Sequence, residues 1–186
     1  MCYVTGIKVP IHISCDQSVG NVEQRVAEYI NAVATVVNNE RRPIVEELVY
    51  LYHQTSVESD KCRYKFLIRQ VHSRALQGIA RWDQIEQQVQ MMTEMALADV
   101  RVDRAEAVSS IILYCEVSTV AALLYLQQMI DSGELSRLFS IMLCLLADTD
   151  VTAGASLSPQ EYDAAFTLLD SAAGKYHLVI VLMYKP

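Results

Sequence analysis

Two apolar stretches separated by a short polar join dominate the second half of this 186-residue chain. They run from Val117 to Ile130 and from Leu135 to Ala147. Neither reaches the roughly 18 to 20 residues that a membrane-spanning helix needs. Segments this apolar must therefore be buried inside the protein. We expect a helical hairpin at the centre of a globular domain, with Leu124 among its buried side chains, and no membrane span.

Local signals on either side of the hairpin predict further helices. Asn21 is placed to cap one helix, and Pro43 occupies the favoured first turn of another. The segment Ser158-Pro159-Gln160-Glu161 combines a capping box with a proline at the first helical position. Asp103 opens a similar box ahead of an apolar run. The predicted fold class is mainly α, a compact bundle of seven to eight helices around the hydrophobic hairpin.

Two segments near the chain ends are predicted as strands. Apolar and polar residues alternate from Ile7 to Ile13, which is typical of a half-buried strand. Pro10 favours an edge position for this strand, because proline cannot donate to a ladder. The last helix is expected to end at Gly174, and beyond it Leu178–Tyr184 is apolar at every position. This run predicts a C-terminal strand, for which the N-terminal strand is a candidate partner.

Length and composition indicate a single intracellular domain. A chain of 186 residues, 52% of them hydrophobic, can bury a core without disulfides. Its five cysteines are scattered and form no C-x-x-C pair, which favours a reducing compartment. The N-terminus lacks the pattern of a secretory signal, so we expect the cytoplasm, with the nucleus an open alternative. The predicted organisation of the single domain 1–186 is a strand segment (1–16), a helical body (21–174) and a C-terminal strand (176–184).

Charge is distributed unevenly along the chain, whose formal net charge is −7. Up to Arg81 it carries ten basic and eight acidic residues, whereas from Trp82 onward it carries five basic and fourteen acidic ones. A basic and an acidic surface on one molecule permit head-to-tail self-association as well as binding to an anionic partner.

The segment from Lys61 to Arg81 has six basic residues and no acidic residue. At helical spacing its apolar side chains share one face, and Phe66 falls on the opposite face between two basic rows. An exposed aromatic ring framed by cations suits base stacking and phosphate neutralisation. The alternative is a solvated helix whose cations pair with acids of the C-terminal part. The candidate nucleic-acid-binding residues are Lys61, Arg63, Lys65, Phe66, Arg69 and Arg74.

No enzymatic or metal-binding motif is recognisable in the sequence. His12 and Cys15 are closely spaced, but a zinc site needs three or four ligands and no other His or Cys has a partnering spacing. A cysteine nucleophile paired with a histidine from elsewhere in the fold stays open. Three methionines at 91, 92 and 95 suit an adaptable peptide groove, although core filling is favoured. We expect no catalytic residue, no metal and no cofactor.

These observations favour a non-enzymatic helical protein that acts through self-association and macromolecular partners. A free strand edge at the C-terminus would be an aggregation hazard in a monomer, so we expect a homo-oligomer. One alternative is an RNA-binding accessory protein, such as a small viral protein that sequesters RNA or suppresses silencing through helix 61–81. Another is a regulator that takes a partner protein helix into a groove beside the hairpin 118–147. The predicted oligomer interface comprises Leu178, Ile180, Leu182 and Tyr184.

Overall fold

The computed structural model describes residues 6–16, 21–77, 79, 82–147 and 150–183. A π-helical segment (Val36–Arg41) joins the first two helices, α1 and α2. In chain order the elements are β1 (Ile7–Cys15), α1 (Val22–Thr35), α2 (Arg42–Gln54), α3 (Glu58–Leu76), α4 (Trp82–Leu97), β2 (Val100–Ala107), β3 (Ile111–Val117), α5 (Val120–Asp131), α6 (Glu134–Ala147), β4 (Ala153–Ser156) and α7 (Pro159–Met183).

The four strands form one antiparallel sheet in the order β2-β3-β1-β4. The chain passes from β1 through helices to the edge strand β2, and β3 lies between these two strands in the sheet. It passes in the same way from β3 to the edge strand β4, with β1 between them. The sheet therefore consists of two split βαβ units. The fold is therefore mixed α/β, and the predicted mainly α bundle is wrong. The sheet was underestimated because pairing between strands distant in sequence leaves little local signal.

The helix predicted after Asp103 is instead the hairpin β2–β3. Asp103 lies at a register irregularity of β2, between Val102 and Arg104. Along β3, burial alternates strictly from Ile111 to Val117 with a period of two. An acid followed by a short apolar run fits a capped helix and a strand equally well, so the local pattern was ambiguous.

The predicted C-terminal strand is also wrong, because α7 continues from Pro159 to Met183. Ser158 starts this helix as predicted: its Oγ accepts from the N–H of Glu161 at 3.2 Å, and its N–H donates to the Glu161 carboxylate at 3.3 Å. The helix does not end at Gly174. A glycine costs a helix only about 1 kcal/mol, and an apolar run has no periodicity that distinguishes helix from strand. Tyr184 lies outside the described residues.

Strand β1 is confirmed, but it lies inside the sheet between β3 and β4 rather than at an edge. Asp16 donates its N–H to Thr152 O at 3.0 Å on the β4 side. Backbone groups two residues apart on a strand point to the same edge, so those of Pro10 also face the β4 side. Since β4 ends at Ser156, opposite His12, Pro10 lies beyond the pairing and interrupts no ladder bond.

The main core lies between one face of the sheet and the helices α1, α5 and α6. The predicted hairpin is present as α5 and α6, joined at Gly133, whose φ is +74°. Leu123 and Leu126 are fully buried, but Leu124 is 52% exposed, so its predicted burial is wrong. Leu124 has apolar neighbours in the sequence, but it lies on the side of α5 that no other described element covers. Helices α2, α3 and α4 pack together as a separate group with small cores of their own.

Within the described ranges, no helix combines the length and the apolarity required to span a bilayer.

Candidate functional site

One face of the sheet carries no packed helix layer, and none of the described residues on it is buried. On β1, β3 and β2, alternate side chains point inward to the core, and the intervening ones form this second face. We call it the open face. It comprises Lys8, Pro10, His12 and Ser14 of β1, Ile112, Tyr114 and Glu116 of β3, Arg101, Asp103, Arg104 and Glu106 of β2, and Gly154 and Ser156 of β4.

Tyr114 stands at the centre of the open face. Its neighbours across the sheet are Arg104 on β2 and Pro10 on β1. The guanidinium of Arg104 lies 4.2 Å from the centroid of the tyrosine ring, and the tyrosine hydroxyl donates to Glu106 at 3.3 Å. Ile112 is the next residue of β3 on this face. The centre is therefore a partly exposed apolar surface whose aromatic ring is held in place by a cation and a hydrogen bond.

Charged side chains surround this centre in opposite-sign pairs. Lys8 Nζ lies 2.7 Å from the Asp103 carboxylate, which Arg104 also contacts at 3.0 Å. Arg104 further pairs with Glu106 at 3.0 Å. Burial alone would raise the pKa of Asp103, but the hydrogen bonds and charges of Lys8 and Arg104 outweigh it and lower that pKa.

Arg101 completes the pattern at one end of β2. Its guanidinium contacts Glu116 on β3 and lies 3.3 Å from Glu46 of α2. Three basic and three acidic side chains therefore share the open face, and they cancel. On a chain whose net charge is −7, this face is electrically neutral.

At the opposite side of the open face, His12 meets the start of α7. Its Nε2 lies 3.5 Å from the Glu161 carboxylate. Burial would raise the pKa of Glu161, but hydrogen bonds from the Ser158 hydroxyl and N–H, with a smaller effect of His12, lower it. The capping box that starts α7 therefore also fixes one border of the face.

The free edge of β2 is closed by asparagine side chains. Asn31 of α1 donates its amide to Ala105 O at 2.9 Å and accepts from Ala105 N–H at 2.8 Å. Asn38, two helical turns further on, donates to Val102 O at 3.0 Å. The Asn31 amide therefore occupies the backbone groups that another strand would use.

The free edge of β4 is closed in the same way by α6. The N–H groups of Ala153 and Ala155 donate to the hydroxyls of Ser140 and Ser136 at 2.8 and 2.9 Å. Cys144, one turn further along α6, exchanges two hydrogen bonds with the backbone of Val151 at 3.2 and 3.3 Å. With both edges closed by side chains, the open face is the part of the sheet left for contact with other molecules.

The candidate nucleic-acid-binding residues lie on α3, where acids after Trp82 neutralise part of their charge. Lys65 Nζ lies 2.6 Å from Glu94, and Arg69 pairs with Glu86. Lys61 lies 5.9 Å from the ring centroid of Tyr52. Phe66 is 59% exposed. Arg63 and Arg74 are exposed as well, without an ion pair to any described residue.

His12 and Cys15, the closely spaced metal candidates, lie on opposite faces of β1. Among the residues with described positions, no cluster of three or more His, Cys, Asp or Glu could hold a metal ion. Burial, followed by the charges of Glu23 and Asp16, raises the pKa of Cys15. Complete burial raises the pKa of Cys115 to about 12. Neither thiol is prepared for nucleophilic attack, which requires the thiolate.

Sequence reasoning missed the open face and the closed edge of β4, although each has a signal in the sequence. The alternation of charged and apolar residues from Val100 to Ala107 matches a strand with one polar side. Ser136, Ser140 and Cys144 recur every four residues on an otherwise apolar helix. Comparison with protein-family models, curated proteins and solved structures gives no match to this chain.

Proposed function

We propose that this chain is a non-enzymatic protein-binding module that assembles through the open face, and that the molecule bound there is a second copy of the chain. The observation that carries the proposal is a neutral, partly apolar sheet face on a molecule of net charge −7. Two copies repel each other through the rest of their surfaces. They can approach with least repulsion through the face whose charges cancel.

The composition of the face supports a protein partner. Protein interfaces have an apolar, aromatic centre and a polar rim, and their strongest contacts are enriched in tyrosine and arginine. Tyr114, Pro10 and Ile112 supply such a centre. The paired side chains around it supply a rim that already satisfies its own charges, so that little charge must be desolvated without a partner.

Pairing of identical faces suits this pattern of charges. A two-fold interface brings the same surface patch of each copy together, so each basic group can meet an acidic one. The closed sheet edges limit the assembly, because Asn31 and the serines of α6 leave no described edge for continuous strand addition. A closed dimer is therefore the expected product.

The alternative of RNA binding has weaker support. Affinity for nucleic acid comes mainly from unpaired basic groups that displace counterions. On the open face the lysine and both arginines contact carboxylates, and on α3 Lys65 and Arg69 do the same. The basic helix stays a hypothesis, with Arg63, Arg74 and Phe66 as its exposed elements.

Sedimentation equilibrium of the purified chain tests the proposal. We expect a dimer that dissociates on dilution, and Tyr114→Ala should weaken it by about tenfold or more, as loss of a central aromatic contact does. Phe66→Ala is the matched control, because Phe66 is 59% exposed on α3, which packs against α2 and α4. This variant should dimerise like the wild type. A concentration-independent mass of 20.9 kDa would overturn the proposal.

Two further variants separate the alternatives. If deletion of residues 176–186 dissolves the dimer and Tyr114→Ala does not, the interface lies on α7 and the open-face proposal fails. If the protein is retained on heparin in a salt-dependent way, and changing Lys61, Lys65, Arg69 and Arg74 to Glu abolishes this while helicity is intact, RNA binding replaces our proposal.

A further inference from the structure

A cavity of about 1100 Å³ lies where α1, α2, α4 and α6 meet beside β2. Apolar side chains form most of its wall, among them Met91, Met92 and Met95 of α4 and Phe139 and Met142 of α6. Ligand sites in proteins commonly measure about 300 to 1000 Å³. Methionine side chains adapt to the shape of a guest. The space is therefore large enough for a molecule of lipid size.

Two deeply buried polar side chains also line this cavity. His72 of α3 is 1% exposed and Gln88 of α4 is 7% exposed. Polar groups buried to this degree normally have all of their hydrogen-bonding capacity satisfied. Both side chains keep one polar group without a partner among the described residues, and the two groups differ in kind.

The free group of His72 is an acceptor. The hydroxyl of Thr93 donates to Val89 O at 2.7 Å, so its oxygen is left to accept from Nδ1–H of His72, at 3.2 Å. An imidazole that carries its proton on Nδ1 has a lone pair on Nε2. No described residue donates to this Nε2.

The free group of Gln88 is a donor. Its Oε1 accepts from the hydroxyl of Tyr29, so its amide nitrogen can only donate. No described residue accepts from this nitrogen. His72 and Gln88 therefore give the cavity one acceptor and one donor group. Asn38 also lines it, and its buried Oδ1 is a second acceptor without a partner among the described residues. Charged residues line it as well, among them Lys8, Glu46 and Glu116, which belong to ion pairs.

The cavity offers no buried cation for an acidic ligand. The buried polar residues of the described chain are His72, Gln88 and Thr93, and none of them is charged at neutral pH. Lys8, Arg42 and Arg101 also line the cavity, and each is paired with a carboxylate, Lys8 with Asp103 and the two arginines with Glu46. A carboxylate would therefore be desolvated in this space without compensation.

We propose that this cavity binds a neutral, largely apolar molecule that carries a hydroxyl group, of the chemical class of long-chain alcohols and sterols. A hydroxyl can donate its proton to Nε2 of His72 and accept from the amide of Gln88, and the apolar body occupies the space between the methionines. The inference does not rest on the proposed assembly through the open face.

Displacement of fluorescent 1-aminoanthracene from the purified chain tests the proposal with three ligands of equal chain length. These are 1-hexadecanol, its methyl ether and palmitate. We expect the alcohol to bind about tenfold more tightly than the ether, which cannot donate, and than palmitate, which is charged. His72→Leu should reduce the preference for the alcohol over the ether to about twofold or less while the ether still binds, since only the donated hydrogen bond is lost.

Two alanines of α1 show whether the space itself is used. Ala34 lines the cavity, whereas Ala27, two turns earlier and also buried, does not. Ala34→Leu should be accommodated in the free volume and lower the affinity for all three ligands. Ala27→Leu should lower the melting temperature by overpacking and leave the ligand preferences unchanged.

Three results would overturn the inference. The first is that none of the three ligands displaces the probe from the wild-type chain. The second is that the alcohol binds no better than its methyl ether. The third is that Ala34→Leu destabilises the domain as much as Ala27→Leu does and leaves ligand binding unchanged. The wild-type ligand series and Ala34→Leu decide the matter even if His72→Leu does not fold.

Discussion

His72 shows how a single buried residue makes the stability of this domain depend on pH. Burial lowers the pKa of its imidazole from 6.5 to about 4. Below pH 6.5 the unfolded chain therefore takes up a proton that the folded domain does not. The contribution of the neutral, buried His72 to the free energy of unfolding is fully present above pH 6.5, and it is lost as the pH falls towards about 4. The loss amounts to about 2 kcal/mol at pH 5.

We predict that His72→Leu flattens this dependence. Urea unfolding should give the wild type a free energy of unfolding about 2 kcal/mol lower at pH 5 than at pH 7.5, and the variant less than half of that difference. His53→Leu, at an exposed position of α2, is the control for replacing a histidine by leucine as such. Parallel pH profiles for wild type and His72→Leu would contradict the prediction.

Two adjacent leucines of α5 test which side of the hairpin is buried. Leu123 is 0% exposed and Leu124 is 52% exposed. We predict that Leu123→Asp unfolds the domain, because a buried carboxylate without a partner costs several kcal/mol out of a total of about 5 to 15. Leu124→Asp should change the stability by about 1 kcal/mol or less. Thermal unfolding followed by circular dichroism distinguishes the two variants, and equal melting temperatures would show that the hairpin is placed wrongly.

The two edge strands depend on helix side chains as much as on their neighbours in the sheet. On β2 the amide of Asn31 replaces the donor and the acceptor of an absent strand at Ala105. On β4 the hydroxyls of Ser136 and Ser140 accept the outward N–H groups. These contacts tie each edge to the helix above it and prevent uncontrolled strand addition.

We predict that Asn31→Ala destabilises the domain by about 1 to 3 kcal/mol, because two backbone groups of Ala105 lose their partner at a partly buried position. The variant should also aggregate faster on mild heating, since the edge of β2 is then free. Asn39→Ala is the matched control, because Asn39 is exposed on the π-helical segment. Urea unfolding and light scattering measure the two effects. Equal behaviour of both variants would show that the edge does not need Asn31.

For the whole molecule, the distribution of charge separates two modes of self-association. Head-to-tail contact between the basic first part and the acidic second part would weaken as salt screens the attraction. Contact through the open face joins two faces of zero net charge, so salt weakens only the local ion pairs between them. Salt also screens the repulsion between two molecules of charge −7. We predict that the dimer is as strong or stronger at 300 mM than at 50 mM NaCl. A steep loss of association with salt, measured by sedimentation, would favour the head-to-tail mode.

The sequence by itself determined the features that neighbouring residues define. Ser158 and Glu161 form a capping box from two residues three positions apart, and the start of α7 follows from it. The apolar stretches around Gly133 specify the hairpin α5–α6, and the alternation from Ile7 to Ile13 specifies β1. Each of these depends on contacts within one or two turns or on a period that a short window contains.

Only the tertiary structure decided the sheet, the open face and the cavity. β1 pairs with β3 about a hundred positions away, and nothing local identifies Tyr114 as the neighbour of Pro10. The same limit applies to Leu178, Ile180 and Leu182, which lie on a helix although their apolar run fits a strand. Local propensities differ by less than about 1 kcal/mol per residue, whereas the burial of a side chain contributes about 1.5 to 3 kcal/mol. Where the two conflict, the neighbours that the fold brings together determine the outcome.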